Sequence, residues 1–251
     1  NNLNQISLRE RKYQKKIMDK LIIKGSANLS GEISIKGSKN SALPIMISAL
    51  LSEDTLKLKN IPKLADIENM SKLLRNYGAT IKSRRDYIEI NCKKIINKDA
   101  DYDIVRKMRA SILILGPLLS RFGKAKISLP GGCAIGTRPI DIHLDGLKKL
   151  GANFKVENGY VVGQVNNQLI GSHIKLSFPS VGATENIMMA AVKAKGKTVI
   201  ENAAKEPEII DLANCLNKMG ANIKITKKGT INIIGVKKLH KANHNIMSDR
   251  I

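Results

Sequence analysis

The sequence predicts an α/β domain in which one helix-strand-helix-strand-strand unit occurs three times. Three helix-like segments each end at a glycine that is followed by a strand-like run, and these glycines are Gly78, Gly151 and Gly220. After each of these strands, turn-forming residues between alternating apolar residues predict a β-hairpin, with turns at residues 84–86, 158–159 and 228–229. This recurrence indicates an internal repeat.

Each predicted unit begins with an apolar helix and a short strand. The apolar segments predict helices over residues 41–51, 108–119 and 183–194. The strands that follow are predicted at residues 55–58, 125–129 and 198–200, each ahead of the second helix of its unit. The order of elements is therefore the same in all three copies.

The middle copy carries an insertion that the other two lack. From the residue after the first strand to the capping glycine, Asn60 to Gly78 and Asn202 to Gly220 are both 18 positions, whereas Pro130 to Gly151 is 21 positions. The three extra residues fall in a glycine-rich loop. Because repeated units share a packing role, an insertion confined to one copy favours a functional interpretation of this loop.

The inserted loop presents one thiol and one guanidinium on a segment rich in glycine. Cys133 precedes Arg138 by five residues. Cationic surroundings lower the pKa of a thiol, and a guanidinium binds phosphate or carboxylate with two parallel hydrogen bonds. The pair therefore suits a small anionic substrate. The alternative is a glycine turn beside a buried structural cysteine.

Length and composition favour one sizeable domain rather than several small ones. The chain has 251 residues, of which 43% are hydrophobic, enough for a large core. No apolar run reaches the roughly 18 residues that a membrane-spanning helix needs, so no membrane association is expected. The three cysteines, Cys92, Cys133 and Cys215, match no zinc spacing and follow no secretory signal, which favours a cytoplasmic protein without a metal or cofactor.

The formal net charge of +22 raises the alternative of a nucleic-acid-binding protein. The lysines are scattered over all three units, however, and the aromatic content of 3% offers little for stacking on bases. No nucleic-acid partner is therefore expected, although the charge attracts anionic ligands. The polar, basic residues 1–17 are predicted to be a disordered extension, with a nucleic-acid-binding arm as the alternative.

Five motifs follow one another along the chain. They are Lys39-Asn40, residues 108–111 (Met-Arg-Ala-Ser), residues 130–139 (Pro-Gly-Gly-Cys-Ala-Ile-Gly-Thr-Arg-Pro), residues 180–186 (Ser-Val-Gly-Ala-Thr-Glu-Asn) and residues 202–208 (Asn-Ala-Ala-Lys-Glu-Pro-Glu). Together and in this order they resemble the UDP-N-acetylglucosamine 1-carboxyvinyltransferases, a family of enolpyruvyl transferases. The likeness runs from Met18 to Ile251, and the cysteine loop distinguishes this family from its relatives in the shikimate pathway.

The resemblance implies a fold and a reaction. The fold is an inside-out α/β barrel, with sheets outside and helices within, in which each of two domains contains three such units. Residues 18–39 would be partial strands of the second domain, residues 40–247 the three-unit domain, and residues 248–251 the crossover back. The reaction transfers the enolpyruvyl group of phosphoenolpyruvate to the 3′-hydroxyl of UDP-N-acetylglucosamine and releases phosphate. It is the first committed step of peptidoglycan synthesis, on which cell-wall biogenesis, cell shape and cell division depend.

The resemblance also implies roles for individual residues. Cys133 protonates phosphoenolpyruvate or adds to it covalently, giving a pyruvate adduct. Lys39 and Arg138 hold its phosphate, and Asn40 orients the substrates. The implied contacts to UDP-N-acetylglucosamine are Arg109, Arg138, Pro139, Ile140, Asp141, Ile142, Phe178, Pro179, Ser180 and Val181.

Two departures from the family pattern matter. Phe178 stands where some family members carry lysine, so no charge contact is expected there. The general base of the family, and a further phosphate-holding arginine, fall beyond residue 251. Two hypotheses remain open: a truncated or split transferase that needs a separate carboxyl-terminal half, or a catalytically silent fragment that binds nucleotide sugar or serves in interaction. The reading frame beyond residue 251 would discriminate between them.

Overall fold

The computed structural model of the chain describes residues 22, 24–25, 28, 30–96, 108–128 and 140–251, with the side chain of Arg109 outside the description. The chain divides into two units, Asn1–Ser34 and Ile35–Ile251. In the first unit, the described residues form no helix or strand. The predicted extension over residues 1–17 lies outside the described residues.

The second unit contains the repeat three times. The first copy consists of α1 (Lys39–Ser48), a 3₁₀ turn (Ala49–Leu51), β1 (Thr55–Lys59), α2 (Ala65–Asn76), β2 (Thr80–Ser83) and β3 (Tyr87–Asn91). The second consists of a 3₁₀ segment (Arg109–Ile114), α3 (Leu115–Phe122), β4 (Lys124–Ser128), α4 (Asp141–Lys149), β5 (Ala152–Glu157) and β6 (Tyr160–Val165). The third consists of β7 (His173–Lys175), α5 (Val181–Ala191), β8 (Lys197–Glu201), α6 (Pro207–Lys218), β9 (Asn222–Ile225), β10 (Ile231–Ile234) and β11 (Ala242–Asn245). The predicted order of elements is confirmed, and the third copy carries β7 before this unit and β11 after it as additional strands.

The predicted glycine caps and hairpin turns are present. Gly78, Gly151 and Gly220 follow the second helix of their units and have φ values of 102°, 98° and 99°, a conformation that glycine adopts without strain. Asn158 and Gly159, between β5 and β6, have φ values of 51° and 79°. Positive φ at both central residues is typical of the type I′ turn, whose twist suits a two-residue hairpin.

Each copy contributes one antiparallel three-stranded sheet with the same strand order. The orders are β1-β3-β2, β4-β6-β5 and β8-β10-β9. The first sheet gains β11 as a parallel neighbour of β1, and the third gains β7 as a parallel neighbour of β8. Since β11 comes from the end of the third copy, it connects the last repeat to the first sheet.

The first helix of each copy lies in the centre of the unit. Residues 41–48 of α1 and residues 183–191 of α5 are all buried, and α5 packs against α3, α4 and α6. The sheets bury one face only, as in β1, where Leu56 and Leu58 are buried between more exposed neighbours. Burial of one such side chain stabilises the fold by about 1.5–3 kcal/mol. Central helices covered by sheets agree with the expected inside-out arrangement.

The first helix of the middle copy differs from the prediction, because it begins as a 3₁₀ segment and becomes α-helical only at Leu115. The side chain of Asn186 from α5 replaces the hydrogen bond that an α-helix would form between residues 116 and 112. Its Oδ1 accepts from the Gly116 N–H at 2.7 Å, and its Nδ2 donates to the Ile112 carbonyl at 3.1 Å. A Cβ at Gly116 would lie 2.4 Å from the Asn186 carbonyl oxygen, so this close approach requires glycine.

Two asparagines hold the added parallel strands in place. Asn60 and Asn202 directly follow β1 and β8, and their φ values are 55° and 53°. The Asn60 Nδ2 donates to the Ile246 carbonyl at 3.0 Å, just after β11, and the Asn202 Nδ2 donates to the Leu176 carbonyl at 2.9 Å, just after β7. Asparagine tolerates this left-handed conformation better than most residues, which explains its use at both sites.

We expect the Ile35–Ile251 unit to unfold in one cooperative transition, because its helices share one apolar core across all three repeats. The measurement is thermal melting followed by far-ultraviolet circular dichroism and by the fluorescence of the tyrosines, of which Tyr77 is fully buried. The two signals should give the same midpoint. Clearly separated midpoints would contradict this prediction and indicate repeats that melt independently.

Candidate active site

The N-terminal ends of four helices lie near one another at one end of the unit. The Ser41 hydroxyl of α1 donates to Asp211 of α6, and the Ala204 N–H just before α6 donates to the Thr184 hydroxyl of α5 at 3.1 Å. A Cβ at Gly182 of α5 would lie 3.1 Å from the ring of His143 in α4. Helix N-termini carry partial positive charge and unpaired N–H groups, so this end of the unit favours anions.

Lys39 and Asn40 form the first turn of α1. The Ser38 side chain caps this helix by accepting from the Ser41 N–H. Lys39 is partly exposed, and its Nζ lies 2.9 Å from a carboxylate oxygen of Asp66 in the first turn of α2. Sequence reasoning missed Asp66 as its partner. A phosphate that binds Lys39 must therefore share this ammonium group with Asp66 or displace the carboxylate.

The chain enters and leaves this end of the unit side by side. The Ser38 N–H donates to the Met247 carbonyl, and the Asp249 N–H donates to the Lys36 carbonyl, both at 2.8 Å. The Arg250 Nε donates to both carboxylate oxygens of Glu208, at 3.0 and 3.3 Å. This pairing fixes the residues that follow β11 against the N-terminus of α6.

A buried polar network connects α1, α6, β11 and the residues just after β11 through Asp211. His244 of β11 lies 2.9 Å from one carboxylate oxygen, and the Ser41 hydroxyl and the Met247 N–H donate to the other. Burial alone would raise the pKa of Asp211, but the hydrogen bonds from His244, Ser41 and Met247 together outweigh burial and lower the pKa. The network thereby fixes the turn of α1 that carries Lys39.

The predicted segment 178–181 leads into α5. Ser180 caps the helix by accepting from the Ala183 N–H at 3.3 Å. The side chain of Phe178 is 63% exposed, and Pro179 is exposed beside it, whereas Val181 packs partly against the core. An exposed phenylalanine next to a helix N-terminus offers an apolar surface for a ring of a bound ligand.

The predicted segment 140–142 forms the start of α4. Asp141 is exposed, and its side chain accepts from the Ile142 N–H at 2.9 Å. Ile140 and Ile142 are half-buried and pack against the core. Packing against the core therefore explains why these two residues are apolar.

Glu185 is a buried carboxyl group that sequence reasoning did not single out. It lies in α5 among apolar residues, and its Oε1 has no hydrogen-bond partner in the described part of the chain. Burial raises the pKa of Glu185 well above its usual value, and the nearby negative charges of Glu208 and Glu206 raise it further. The one available signal was a charged residue inside an apolar helical run.

The centre of the predicted site lies outside the described residues. Cys133, Arg138 and Pro139 belong to residues 129–139, and only the backbone of Arg109 is described, at the start of its 3₁₀ segment. The described neighbours of this loop, β4 and α4, lie on either side of it in the chain. The cysteine loop therefore begins and ends in the middle repeat, directly before the N-terminus of α4.

The other two thiols lie in the core. Cys92 and Cys215 are both fully buried. Burial raises the pKa of each thiol to about 12, with Arg121 opposing this rise at Cys92, and Asp211 adding to it at Cys215. Since the thiolate is the reactive form, neither of these cysteines is suited to nucleophilic or acid-base chemistry at neutral pH.

The described residues contain no group of three or more His, Cys, Asp and Glu side chains arranged to hold a metal ion. Among the helices that the structure describes, none combines the length and the apolar character needed to cross a bilayer.

Comparisons with known proteins relate most of the chain to one family. The sequence profile of the EPSP synthase (3-phosphoshikimate 1-carboxyvinyltransferase) family matches residues 23–251. A UDP-N-acetylglucosamine 1-carboxyvinyltransferase of Geobacter metallireducens is 50% identical over 234 residues, and one of Granulibacter bethesdensis is 52% identical over 236 residues. Both alignments cover 93% of this chain and 56% of the relative. The chain therefore spans little more than half the length of the curated relatives it matches.

Solved structures with a similar fold belong to the same group of enzymes. The enolpyruvyl transferase NikO from Streptomyces tendae superposes with a TM-score of 0.78 at 20% identity, covering 90% of this chain and 53% of that chain. An EPSP synthase from Acinetobacter baumannii superposes with a TM-score of 0.70 at 19% identity, covering 87% of this chain and 50% of that chain. At these identities the likeness establishes the α/β fold alone.

Proposed function

Because the chain belongs to the EPSP synthase family of enolpyruvyl transferases, we propose that it forms the cysteine-bearing part of a UDP-N-acetylglucosamine 1-carboxyvinyltransferase. One observation carries this proposal: two relatives named as that enzyme are 50% and 52% identical over 93% of the chain. The proposed substrates are phosphoenolpyruvate and UDP-N-acetylglucosamine. Both are anions, as the charge of +22 and the group of helix N-termini favour.

In the proposed reaction, the 3′-hydroxyl of the sugar loses its proton to a general base and its oxygen adds to C2 of phosphoenolpyruvate, while the methylene carbon takes up a proton. The tetrahedral product then loses a proton from the new methyl group, and phosphate leaves with the electron pair of its C–O bond. Cys133 supplies the proton or forms a covalent adduct at C2, because a thiol serves both as an acid and as a nucleophile. Lys39 and Arg138 hold the phosphate, and Asn40 orients the two substrates.

The nucleotide sugar is proposed to lie along the starts of α4 and α5. Arg109, Arg138 and the backbone N–H groups of the two helix N-termini suit its diphosphate. The segments 139–142 and 178–181 line its rings, and the exposed phenyl ring of Phe178 provides an apolar contact. Lys39, through its ion pair with Asp66, is held at the neighbouring helix end for the second substrate.

The first test is selective labelling of Cys133 by an epoxide phosphonate that mimics phosphoenolpyruvate. Cys92 and Cys215 are buried and their pKa values are raised to about 12, so we expect the label on Cys133 alone in the folded protein. Peptide mapping by mass spectrometry after limited labelling measures this. The adduct should be lost in Cys133→Ser and retained in the matched control Cys92→Ser.

Addition of UDP-N-acetylglucosamine should change the rate of this labelling if the nucleotide sugar binds beside Cys133. Labelling of Cys92 or Cys215 in the folded protein would contradict the proposed anion site. The second candidate is a domain that binds the nucleotide sugar without catalysis. Nucleotide-sugar binding without any adduct at Cys133 would support that candidate instead.

A further inference from the structure

The C-terminal ends of the three central helices surround a cavity, at the other end of the unit from the candidate active site. Leu51 ends the 3₁₀ turn after α1, Arg121 lies in the last turn of α3, and Lys193 follows α5 by two residues. The cavity has a volume of about 340 Å³. Lys39 and Leu51 are 12 residues apart along one continuous helical segment, so roughly 18 Å separates the two sites.

The lining of this cavity is strongly cationic. Among the described residues, the charged side chains that line it are Arg121, Lys193, Lys237, Lys238 and Glu53. Four cations therefore face one carboxylate. Lys237 and Lys238 come from the loop between β10 and β11, so three separate parts of the chain bring positive charge to the same place.

Arg121 is a fixed part of the cavity wall. Its Nη1 donates to the carbonyls of Leu50, Ser52 and Cys92 at 2.9, 3.1 and 2.8 Å, and only 8% of its side chain is exposed. Its Nη2 lies 3.5 Å from Glu53. The guanidinium thus links the first and second repeats and cannot move away from the lysines that share the cavity.

The helix ends do not neutralise this charge. Four cations and one carboxylate leave a surplus of three positive charges. A helix C-terminus carries about half a negative charge, so the three helix ends offset only about half of this surplus. The pKa of Lys193 agrees with a positive surplus: burial lowers it, the charge of Arg121 lowers it further, and Glu53 opposes this only in part. The positive charge around the cavity therefore disfavours the protonated form of Lys193.

We propose that this cavity binds a small polyanion that carries phosphate groups, with Lys193, Lys237 and Lys238 as its ligands and Arg121 as a fixed positive wall. A doubly or more highly charged anion matches the surplus, whereas a single carboxylate does not. Lysine ammonium groups bind phosphate oxygens as point charges and adapt to their positions. The volume is at the lower end of the ~300–1,000 Å³ of ordinary ligand sites, which suits an anion of the size of pyrophosphate.

The test uses inorganic pyrophosphate and the full chain, because both anion sites are then present. Each lysine is acetylated at neutral pH with and without pyrophosphate, and the extent of acetylation is read at each residue by mass spectrometry. We expect pyrophosphate to protect Lys193, Lys237 and Lys238 against acetylation, independently of any protection of Lys39. Calorimetric titration in the double variant Lys193→Gln, Lys238→Gln should show binding to this site weakened by about tenfold or more.

The matched control is Lys155→Gln, which removes an exposed lysine of β5 in another sheet. It should leave both protection and affinity unchanged, and all variants should keep the melting midpoint of the parent within about 2 °C. Protection of Lys39 alone, or equal affinity in the double variant and the parent, would overturn the proposal. Loss of affinity in Lys155→Gln as large as in the double variant would also overturn it, because it would indicate unspecific attraction by the net charge.

Discussion

Replacing Asn186 by leucine should lower the free energy of unfolding by about 1–3 kcal/mol, although leucine is similar in size and the site is buried. The Asn186 amide is the partner of two backbone groups, the Gly116 N–H and the Ile112 carbonyl. Without it, the Gly116 N–H is buried and unpaired, at a cost of about 1–3 kcal/mol, whereas the Ile112 carbonyl keeps the hydrogen bond that the Leu115 N–H donates. The melting midpoint should fall by roughly 2–4 °C per kcal/mol. Chemical denaturation with circular dichroism measures the change.

Two further variants separate this mechanism from a general effect of substitution. Asn153→Ala alters an exposed asparagine of β5 and should change stability by less than about 0.5 kcal/mol. Asn186→Asp keeps the shape and one acceptor, but a carboxylate cannot donate to the Ile112 carbonyl.

The pH dependence of Asn186→Asp follows from burial of the new carboxyl group, which raises its pKa in the folded state. Its deficit relative to the parent protein should be largest at neutral pH. The deficit should shrink as the pH falls through the raised pKa of the folded state, because the protonated group can donate again. A leucine variant as stable as the parent would contradict the proposed role of Asn186.

The repeat could be predicted because its signals are local in the sequence. A glycine at positive φ after a helix, as at Gly78 and Gly220, and a two-residue turn such as Asn158-Gly159 depend on the backbone of a few neighbouring residues. The fold class followed from the threefold recurrence of these local signals. The positions of β1, β4 and β8 were predicted within one residue at each end for the same reason.

The features that sequence reasoning missed depend on contacts between distant segments. β7 and β11 are short and polar, and they form strands only because β8 and β1 offer free edges to them. The 3₁₀ start of the middle helix depends on Asn186, which lies 70 residues further along the chain. The Lys39–Asp66 ion pair and the Arg121 contacts likewise join different helices or repeats. No periodicity within a short window contains this information.

The candidate site was predicted from sequence motifs. The roles of the residues at its centre stay predictions. Cys133, Arg138 and Pro139 lie outside the described residues, so no distance tests their proposed roles. The structure adds the surroundings: a group of helix N-termini, a lysine paired with Asp66, and two buried thiols that leave Cys133 as the candidate for reactivity. These surroundings could not be read from the motifs, because they depend on how the three repeats pack.

A protein of residues 1–251 alone should release no phosphate from phosphoenolpyruvate and UDP-N-acetylglucosamine above background. The matched region covers only 56% of the relatives named as this transferase, and the family resemblance implies a general base outside these residues. Three carboxylates near the group of helix N-termini already have a basic partner. Asp66 pairs with Lys39, Asp211 with His244, and Glu208 with Arg250. Positioning in a complete site contributes roughly 7–11 kcal/mol to catalysis, so its loss removes measurable turnover.

The measurement is a phosphate-release assay on residues 1–251 and on their fusion to the part of the Geobacter metallireducens relative that has no counterpart here. The fusion should turn over, and Cys133→Ser in the fusion should return it to background, which assigns the activity to the cysteine loop. A folded fusion that binds UDP-N-acetylglucosamine but releases no phosphate would favour the silent binding domain. Steady turnover by residues 1–251 alone would refute the prediction, because a carboxylate within this chain would then act as the base. The candidates would be Asp141, Glu206, Glu208 and Asp249. Because Arg250 already holds Glu208, the first of these to replace would be Glu206, which lies at the start of α6.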